Sequence, residues 1–356
     1  MKVCIIGSGL VSLTLAKVLI QKDIFVDIYG ANKSNRYHSS RTLGISKSNI
    51  DYFINEILDI KKISWDIQSI KIYTEKNLKK ELIKFDNKNY TVFSMIRNSQ
   101  LQKLLFEKLK KIKFVKFKKN LNIDKKDYKL IINSDPTHFH IKKFFSKKID
   151  KDYNSYAYTT SIFHKKIKND TAYQNFTNDG PIAFLPISNT ETSIVYSLRS
   201  VKKKTNLQMN DLVKKYNPIY SIEKTNNWSR FKLKSSNLRN YYKDNILAFG
   251  DLLHKVHPLA GQGFNMSLRD ISCLSKLIDE KLDLGLDLDT TICHNFEKEM
   301  RDKNLIFSTG IDWIYQFFYF EGKTNNEIIS KSLNILGKNK FFNSLFKKFA
   351  DNGLSL

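Results

Sequence analysis

A βαβ unit at the start of the chain, a middle stretch that alternates with period two, and a strand-then-helix pattern after it predict an α/β protein. The expected architecture is a Rossmann-like domain with an inserted antiparallel sheet and C-terminal helices. Residues 2–6 (KVCII) read as a buried strand. Leu10, Leu13, Ala16, Val18, Leu19 and Ile20 mark the helix after it, and residues 24–29 form a second strand. Residues 71–88 are charged and hairpin-like, and residues 90–96 alternate as a strand. Residues 99–111 then place Leu101, Leu104, Leu105 and Leu109 on one helix face. Residues 129–132 are a further strand. Between residues 153 and 198, alternation with intervening turn residues predicts antiparallel strands over 156–163, 181–186 and 193–198. A strand over 245–249 and helices filling most of the remainder follow. The βαβ start is thus completed by chain that returns after the insertion. The domains expected are 1–70, 97–150 and 240–290 for the Rossmann-like unit, 71–96 and 151–239 for the inserted sheet, and 291–356 for the C-terminal helices.

The chain has 356 residues, 60 Lys+Arg and 35 Asp+Glu, a net charge of +25. Such an excess points first to nucleic acid. Only 8 of the basic residues are Arg, however, and lysine lacks the planar fork that reads base edges. The lysines also run from end to end, so no nucleic-acid partner is expected. With 41% hydrophobic and 13% aromatic residues the chain can bury a sizeable core. Cys4, Cys273 and Cys293 lie far apart without a CxxC pair, which predicts neither zinc nor disulfides and fits a reducing cytoplasm. No leader pattern opens the chain. No window of 18 uncharged apolar residues occurs either, since Asp312 interrupts residues 305–320, so no membrane span is expected.

Two segments carry chemistry. In Gly7-x-Gly9-x-x-Ser12, placed between a strand and a helix, the glycines permit a tight turn and a close approach of backbone N–H groups to a pyrophosphate. A plain tight turn is the alternative. Gly30 stands where an acidic residue would bind an adenosine ribose, and Asn32 is the nearest substitute. The second segment is more specific. A buried strand delivers the Gly250-Asp251 turn, and Pro258, Gly261, Gln262, Gly263, Phe264 and Asn265 form a Pro-x-x-Gly-x-Gly loop that opens a helix running to Arg269-Asp270. Asp251 can accept hydrogen bonds from a polyol, and the glycines let backbone amides reach a ligand.

This segment resembles the GDAAHxxHPxAGQGxNxGxxD pattern of class A flavoprotein monooxygenases, and most closely the FAD-dependent hydroxylases of ubiquinone biosynthesis (the UbiH/UbiF/UbiI type). Arg41 to Ser46 is similar to the family's R-A-x-A-L-S segment, and Arg97 to Leu101 to its R-x-x-L helix start. Residues 172–186 look like its A-x-x-x-F-x-x-x-G-P-x-A-x-L-P strand pair, and Phe296 to Asp312 resembles its C-terminal helix pattern. Where the family has G-A-D-G, the chain reads Asn133-Ser134-Asp135-Pro136. Asp135 is kept and the glycine beside it is replaced by Pro136, in a segment that by the resemblance serves both FAD and the incoming nicotinamide nucleotide.

The resemblance implies a Rossmann-like FAD-binding domain and an inserted antiparallel-sheet substrate domain. It implies FAD as cofactor, with NAD(P)H or another electron donor. The implied activity is monooxygenation of the aromatic ring of a polyprenylated phenol, by way of a flavin hydroperoxide. By the same resemblance Gly7, Gly9 and Ser12 meet the pyrophosphate and Arg41 approaches the flavin. Arg97 and Asp135 border the cofactor, Gly250-Asp251 hold the ribityl chain, and residues 258–265 lie against the isoalloxazine. No catalytic acid or base is assigned. A different flavin-dependent oxidoreductase on the same fold, or a non-catalytic scaffold of a quinone-biosynthesis complex, is the competing expectation.

His254 and His257 lack a third ligand and read as packing or hydrogen-bonding residues, so no metal is expected. His138 and His140 read as surface or packing residues. The segment 338–349 (KNKFFNSLFKKF) would place its aromatics on one helix face beside lysines, fit to dock on its own domain or to meet an anionic membrane surface. Together these features place the protein in the cytoplasm, peripheral on the inner face of the membrane, with membrane and ubiquinone-biosynthesis complex as further partners.

Overall fold

Val3, Cys4, Ile5 and Ile6 are apolar on both faces, as a central strand of a covered parallel sheet requires. In the computed structural model they form β1 (Lys2–Ile6), inside a six-stranded sheet. The structure describes residues 1–30, 41–75, 81–86, 91–119, 123–138, 143–199, 204–258 and 261–324, with side chains to residue 317. On one side β1 pairs in parallel with β2 (Phe25–Tyr29), which pairs with β8 (Val115–Lys118). On the other it pairs with β9 (Leu130–Asn133), followed by β17 (Ile246–Ala248) and an antiparallel edge strand, β16 (Tyr242–Lys243). Helix α1 (Leu10–Ile20) joins β1 to β2 and packs on α3 (Asn98–Lys110) and α5 (Gln262–Asp283). The last parallel strand therefore comes from chain that returns after the insertion.

The insertion is built on β10 (Lys148–His164), β11 (Thr171–Thr177), β12 (Gly180–Pro186) and β13 (Glu191–Leu198). Among the described residues their sheet has nine strands, including the hairpin β5 (Ser69–Thr74) and β6 (Ile83–Asp86), β15 (Ser229–Leu238), β14 (Ile222–Thr225) and β18 (His254–Lys255). Alternation sorts its faces. Tyr158, Ile182, Phe184, Ile194 and Tyr196 pack under α4 (Asn206–Tyr216), leaving the alternate residues for the opposite, inner face. The strand expected over 90–96 is β7 (Phe93–Arg97). It does not join this sheet: it lies between β3 (Thr42–Ser46) and β4 (Ser64–Ile67) in a three-stranded sheet against the inner face. A helix, α2 (Lys47–Glu56), follows β3, and α6 (Thr290–Thr324) packs along α5. No helix among the described residues is long and apolar enough to cross a membrane. Asn32, His140 and the segment 338–349 lie outside the described residues.

One buried charge ties the parallel sheet together. The Asp27 carboxylate accepts from Tyr128 Oη at 2.6 Å and is paired with Lys2 at 3.0 Å and Lys118 at 2.9 Å. Burial pushes its pKa up, but the Tyr128, Lys118 and Lys2 contacts outweigh burial and hold it below the ordinary 3.8. A depressed carboxylate pKa contributes stability above the unfolded value, and that stability is lost as pH falls through the folded one. Asp27→Asn should therefore be less stable at neutral pH and should lose less stability than wild type on acidification below about pH 4. Parallel acid limbs in urea unfolding of the two proteins would contradict this role.

Candidate functional site

Three glycine-dependent turns converge at the C-terminal edge of the parallel sheet. Gly7 adopts φ +110°, and a Cβ there would stand 2.5 Å from Ser134 Oγ and 3.3 Å from the Asp135 nitrogen. The end of β9 thus closes on the first turn. Ser12 Oγ and Ser134 Oγ lie 2.5 Å apart, and Ser134 also donates to the Ile6 carbonyl. Gly9 differs: a Cβ on it would meet nothing within 4 Å, so the head of α1 opens onto free space. No side chain caps this helix and no acidic residue lies in its first turn, so its leading N–H groups are available to an anion.

The second turn follows β17. Gly250, at φ +60°, packs on Val11 in the first turn of α1, with its would-be Cβ 3.3 Å from Val11 Cγ1. This sets Asp251, whose side chain is exposed, beside the α1 head. The third turn is Gly261, left-handed at φ +65°, which begins α5 without a side-chain cap and donates to the Pro258 carbonyl at 3.1 Å. A Cβ on Gly261 would lie 3.4 Å from the backbone nitrogen of Gly44 in β3. Gln262 Oε1 is buried there without a hydrogen-bond partner, as is Asn133 Nδ2 at the end of β9. Such orphaned atoms are uncommon and need a ligand, water or another explanation.

The remaining expected site residues separate into two groups. Asp135 stays at the junction through its backbone, while its carboxylate accepts from the Thr137 N–H and hydroxyl in a turn that accommodates Pro136. The guanidinium of Arg41 lies 4.9 Å over the Phe231 ring of the large sheet. Arg97 pairs with buried Glu191 at the start of β13, and the Thr42 hydroxyl donates to Ser193 Oγ at 3.0 Å, so both arginines bridge to the insertion. Phe264 and Asn265, expected along the cofactor, turn both side chains inward. Phe264 packs near Phe53, and Asn265 donates to the Gly44 carbonyl while accepting from the Ser46 N–H. Their burial against α2 and β3 fixes where α5 begins. Gly30 has its own explanation: at φ +92° it packs on Gly7, and its carbonyl accepts from Ser8 Oγ.

The two histidines have separate partners. His254 bonds to Asp270 of α5, whose other oxygen accepts from Asn304 of α6 at 2.9 Å, all buried. His257 lies between two tyrosines, stacked on Tyr315 and met edge-on by Tyr153.

Comparison with known proteins bears on this junction. The FAD binding domain family matches residues 157–284, which include the Gly250-Asp251 turn and the start of α5. In solved structures, the p-nitrophenol 4-monooxygenase PnpA from Pseudomonas putida superposes with a TM-score of 0.81 at 14% identity, covering 99% of this chain and 98% of that one. HpxO from Klebsiella pneumoniae, complexed with FAD and uric acid, superposes with a TM-score of 0.75 at 12% identity, covering 99% and 97%. Residues 157–284 thus match the FAD binding domain family, and the chain has the fold of these two solved structures. Among curated proteins, the chain is 27% identical over 205 residues to the ubiquinone biosynthesis monooxygenase COQ6 of Dictyostelium discoideum, covering 47% of this chain and 40% of that protein. It is 25% identical over 200 residues to the 3-demethoxyubiquinol 3-hydroxylase of Escherichia coli, covering 53% and 51%. The chain thus spans about half the length of the curated relatives it matches. Gly44 and Val11 shape the junction without having been singled out individually from sequence, and Ser134 entered only as a member of the Asn133–Pro136 segment. Each lay inside a segment read from sequence: Gly44 in residues 41–46, Val11 in the Gly7–Ser12 motif and Ser134 in residues 133–136.

Proposed function

We propose that the chain is an FAD-dependent monooxygenase that hydroxylates the aromatic ring of a polyprenylated phenol in ubiquinone biosynthesis, with NAD(P)H or another donor supplying electrons. The observation that carries this reading is that the uncapped head of α1 meets the Gly250-Asp251 turn and the uncapped head of α5, the latter two lying within a match to an FAD binding domain. The residues fit the cofactor. The open space beside Gly9 admits a pyrophosphate to the α1 head, with Ser12 and the Asp135 backbone at its border. Asp251 can accept from ribityl hydroxyls. The Pro258–Gly261 turn, Gln262 and Gly263 present the α5 head to the isoalloxazine, where the helix dipole stabilises negative charge. When bound, the flavin supplies reducing equivalents to dioxygen and delivers one oxygen atom to an electron-rich ring.

The protein positions that ring. Ala183, Val195, Thr159 and Ser229 lie side by side across β12, β13, β10 and β15, on the inner face next to Ser193 and its Thr42 contact. Small side chains there leave room for a planar substrate, and the surrounding aromatic clusters exclude water. Val195→Trp should leave FAD binding unchanged and lower kcat/KM by roughly tenfold or more, because overpacking this row displaces the ring. Undiminished kcat/KM in that variant would remove the row from the substrate site.

A polyprenyl tail keeps such a substrate in a membrane, so we place the working enzyme at a membrane surface, consistent with its basic character. The direct test of function is complementation of bacterial strains each lacking one ring hydroxylase, with quinone intermediates identified by mass spectrometry. Restored quinone in one strain is expected and reports the ring position. Failure in every strain, with the protein expressed and FAD-loaded, would favour the scaffold alternative.

A further inference from the structure

The longest strand of the insertion is interrupted where it faces α6. Between Asp152 and Tyr156 the register of β10 against β15 shifts, and Asn154 adopts φ +49°. A bulge of this kind re-aims the side chains within it. Here Tyr153 meets His257 edge-on, with ring centroids 4.9 Å apart, while Tyr315 of α6 stacks on His257 at 4.1 Å and 30°. The two tyrosines are themselves in edge contact at 5.2 Å. The Tyr153 hydroxyl donates to Asp312, one turn before Tyr315, and Lys151 and Ser235 reach the same carboxylate at 3.3 and 3.4 Å. Arg199 donates to the Tyr315 hydroxyl at 2.9 Å and lies over its ring at 4.8 Å.

Everything in this cluster converges on the residue preceding Pro258. His257 is 1% exposed, and the turn that accepts the Gly261 N–H begins at the next carbonyl. Burial, then the nearby Arg199 and Lys151 charges, lower the His257 pKa to about 3, so the ring is neutral and packs as an aromatic. We infer that Tyr315 and Asp312 are positioning residues: the C-terminal helix, through the His257 stack, holds the Pro258–Gly261 turn against Gly44 and so sets the isoalloxazine environment. The inference rests on the proposed FAD site for its consequence, though the stack itself is independent of that reading.

The test compares Tyr315→Leu, which removes the stack, with Tyr315→Phe, which keeps it and the Arg199–ring contact and loses only the hydrogen bond from Arg199 to the hydroxyl. FAD dissociation constants and the visible flavin spectrum are measured on the full chain, and the His257 ring is followed by NMR during titration. Tyr315→Leu should bind FAD about tenfold more weakly with a shifted flavin band, as loss of a specific ring pair implies. Its His257 pKa should rise from about 3 as the ring loses the cover of Tyr315, while in Tyr315→Phe both readouts stay close to wild type. Wild-type FAD affinity and a still-neutral His257 in Tyr315→Leu would overturn the inference. Should Tyr315→Leu fail to fold, Asp312→Asn, which loosens the same turn of α6, is read by the same criteria. Should wild type bind no FAD, the proposed function fails, and the His257 titration alone decides whether the helix holds the loop.

Discussion

Asp251→Ala is expected to purify as a folded protein that no longer retains FAD. The turn carrying Asp251 owes its shape to Gly250 at φ +60° packed on Val11, and the Asp251 side chain contributes to neither. An exposed substitution of this kind usually changes stability by no more than about 0.5 kcal/mol. A carboxylate accepting from ribityl hydroxyls is another matter, since hydrogen bonds to a charged group are worth about 1.5–3 kcal/mol. FAD affinity should therefore fall by roughly ten- to a hundredfold. Fluorescence titration with FAD measures this, and urea unfolding of the apo protein checks the fold. An unfolding curve displaced as far as the affinity would mean that Asp251 supports the turn and does not bind the cofactor.

Asp270→Ala should have the opposite signature, a large loss of stability. Asp270 is fully buried and accepts from both His254 and Asn304, so a single carboxylate joins β18, α5 and α6. Its removal leaves the His254 ring, whose Nδ1 already lacks a partner, and the Asn304 amide buried without their acceptor. Breaking a buried pair from one side costs about 3–5 kcal/mol. The urea midpoint should drop steeply, and Asp270→Asn, which keeps the volume and one acceptor oxygen, should fall between the variant and wild type. A loss under about 1 kcal/mol would show that the network is dispensable.

These contrasting residues belong to one sequence segment and show what sequence reading can reach. The Gly7–Gly9 turn, the strands around it and the Gly250-Asp251 turn are local features, set by glycine conformation and by apolar runs, and each stands in the structure where the sequence pattern puts a strand, turn or helix head. The partners of those turns are not local. Gly261 packs on Gly44, Gly250 on Val11 and Gly7 on Ser134, across separations that no periodicity encodes. Asn265 illustrates the limit: its place in a glycine-rich loop marks it for a ligand, yet its amide binds the β3 backbone from 221 residues away. Arg97 is held by Glu191, a pairing that required β7 to leave the large sheet and pack across it. The strands of the insertion were readable from alternation, whereas β15, with lysine at alternate positions, hides its pattern among the lysines that pervade the chain.

The most direct test of the account is equilibrium titration of the purified protein with FAD, followed by visible absorption and dialysis, beside the Asp251→Ala variant. The account predicts a yellow protein holding one FAD per chain, with binding lost or greatly weakened in the variant and restored toward wild type in Asp251→Glu or Asp251→Asn. A wild-type protein that stays colourless at saturating FAD, or a variant that binds as tightly as wild type, would contradict it.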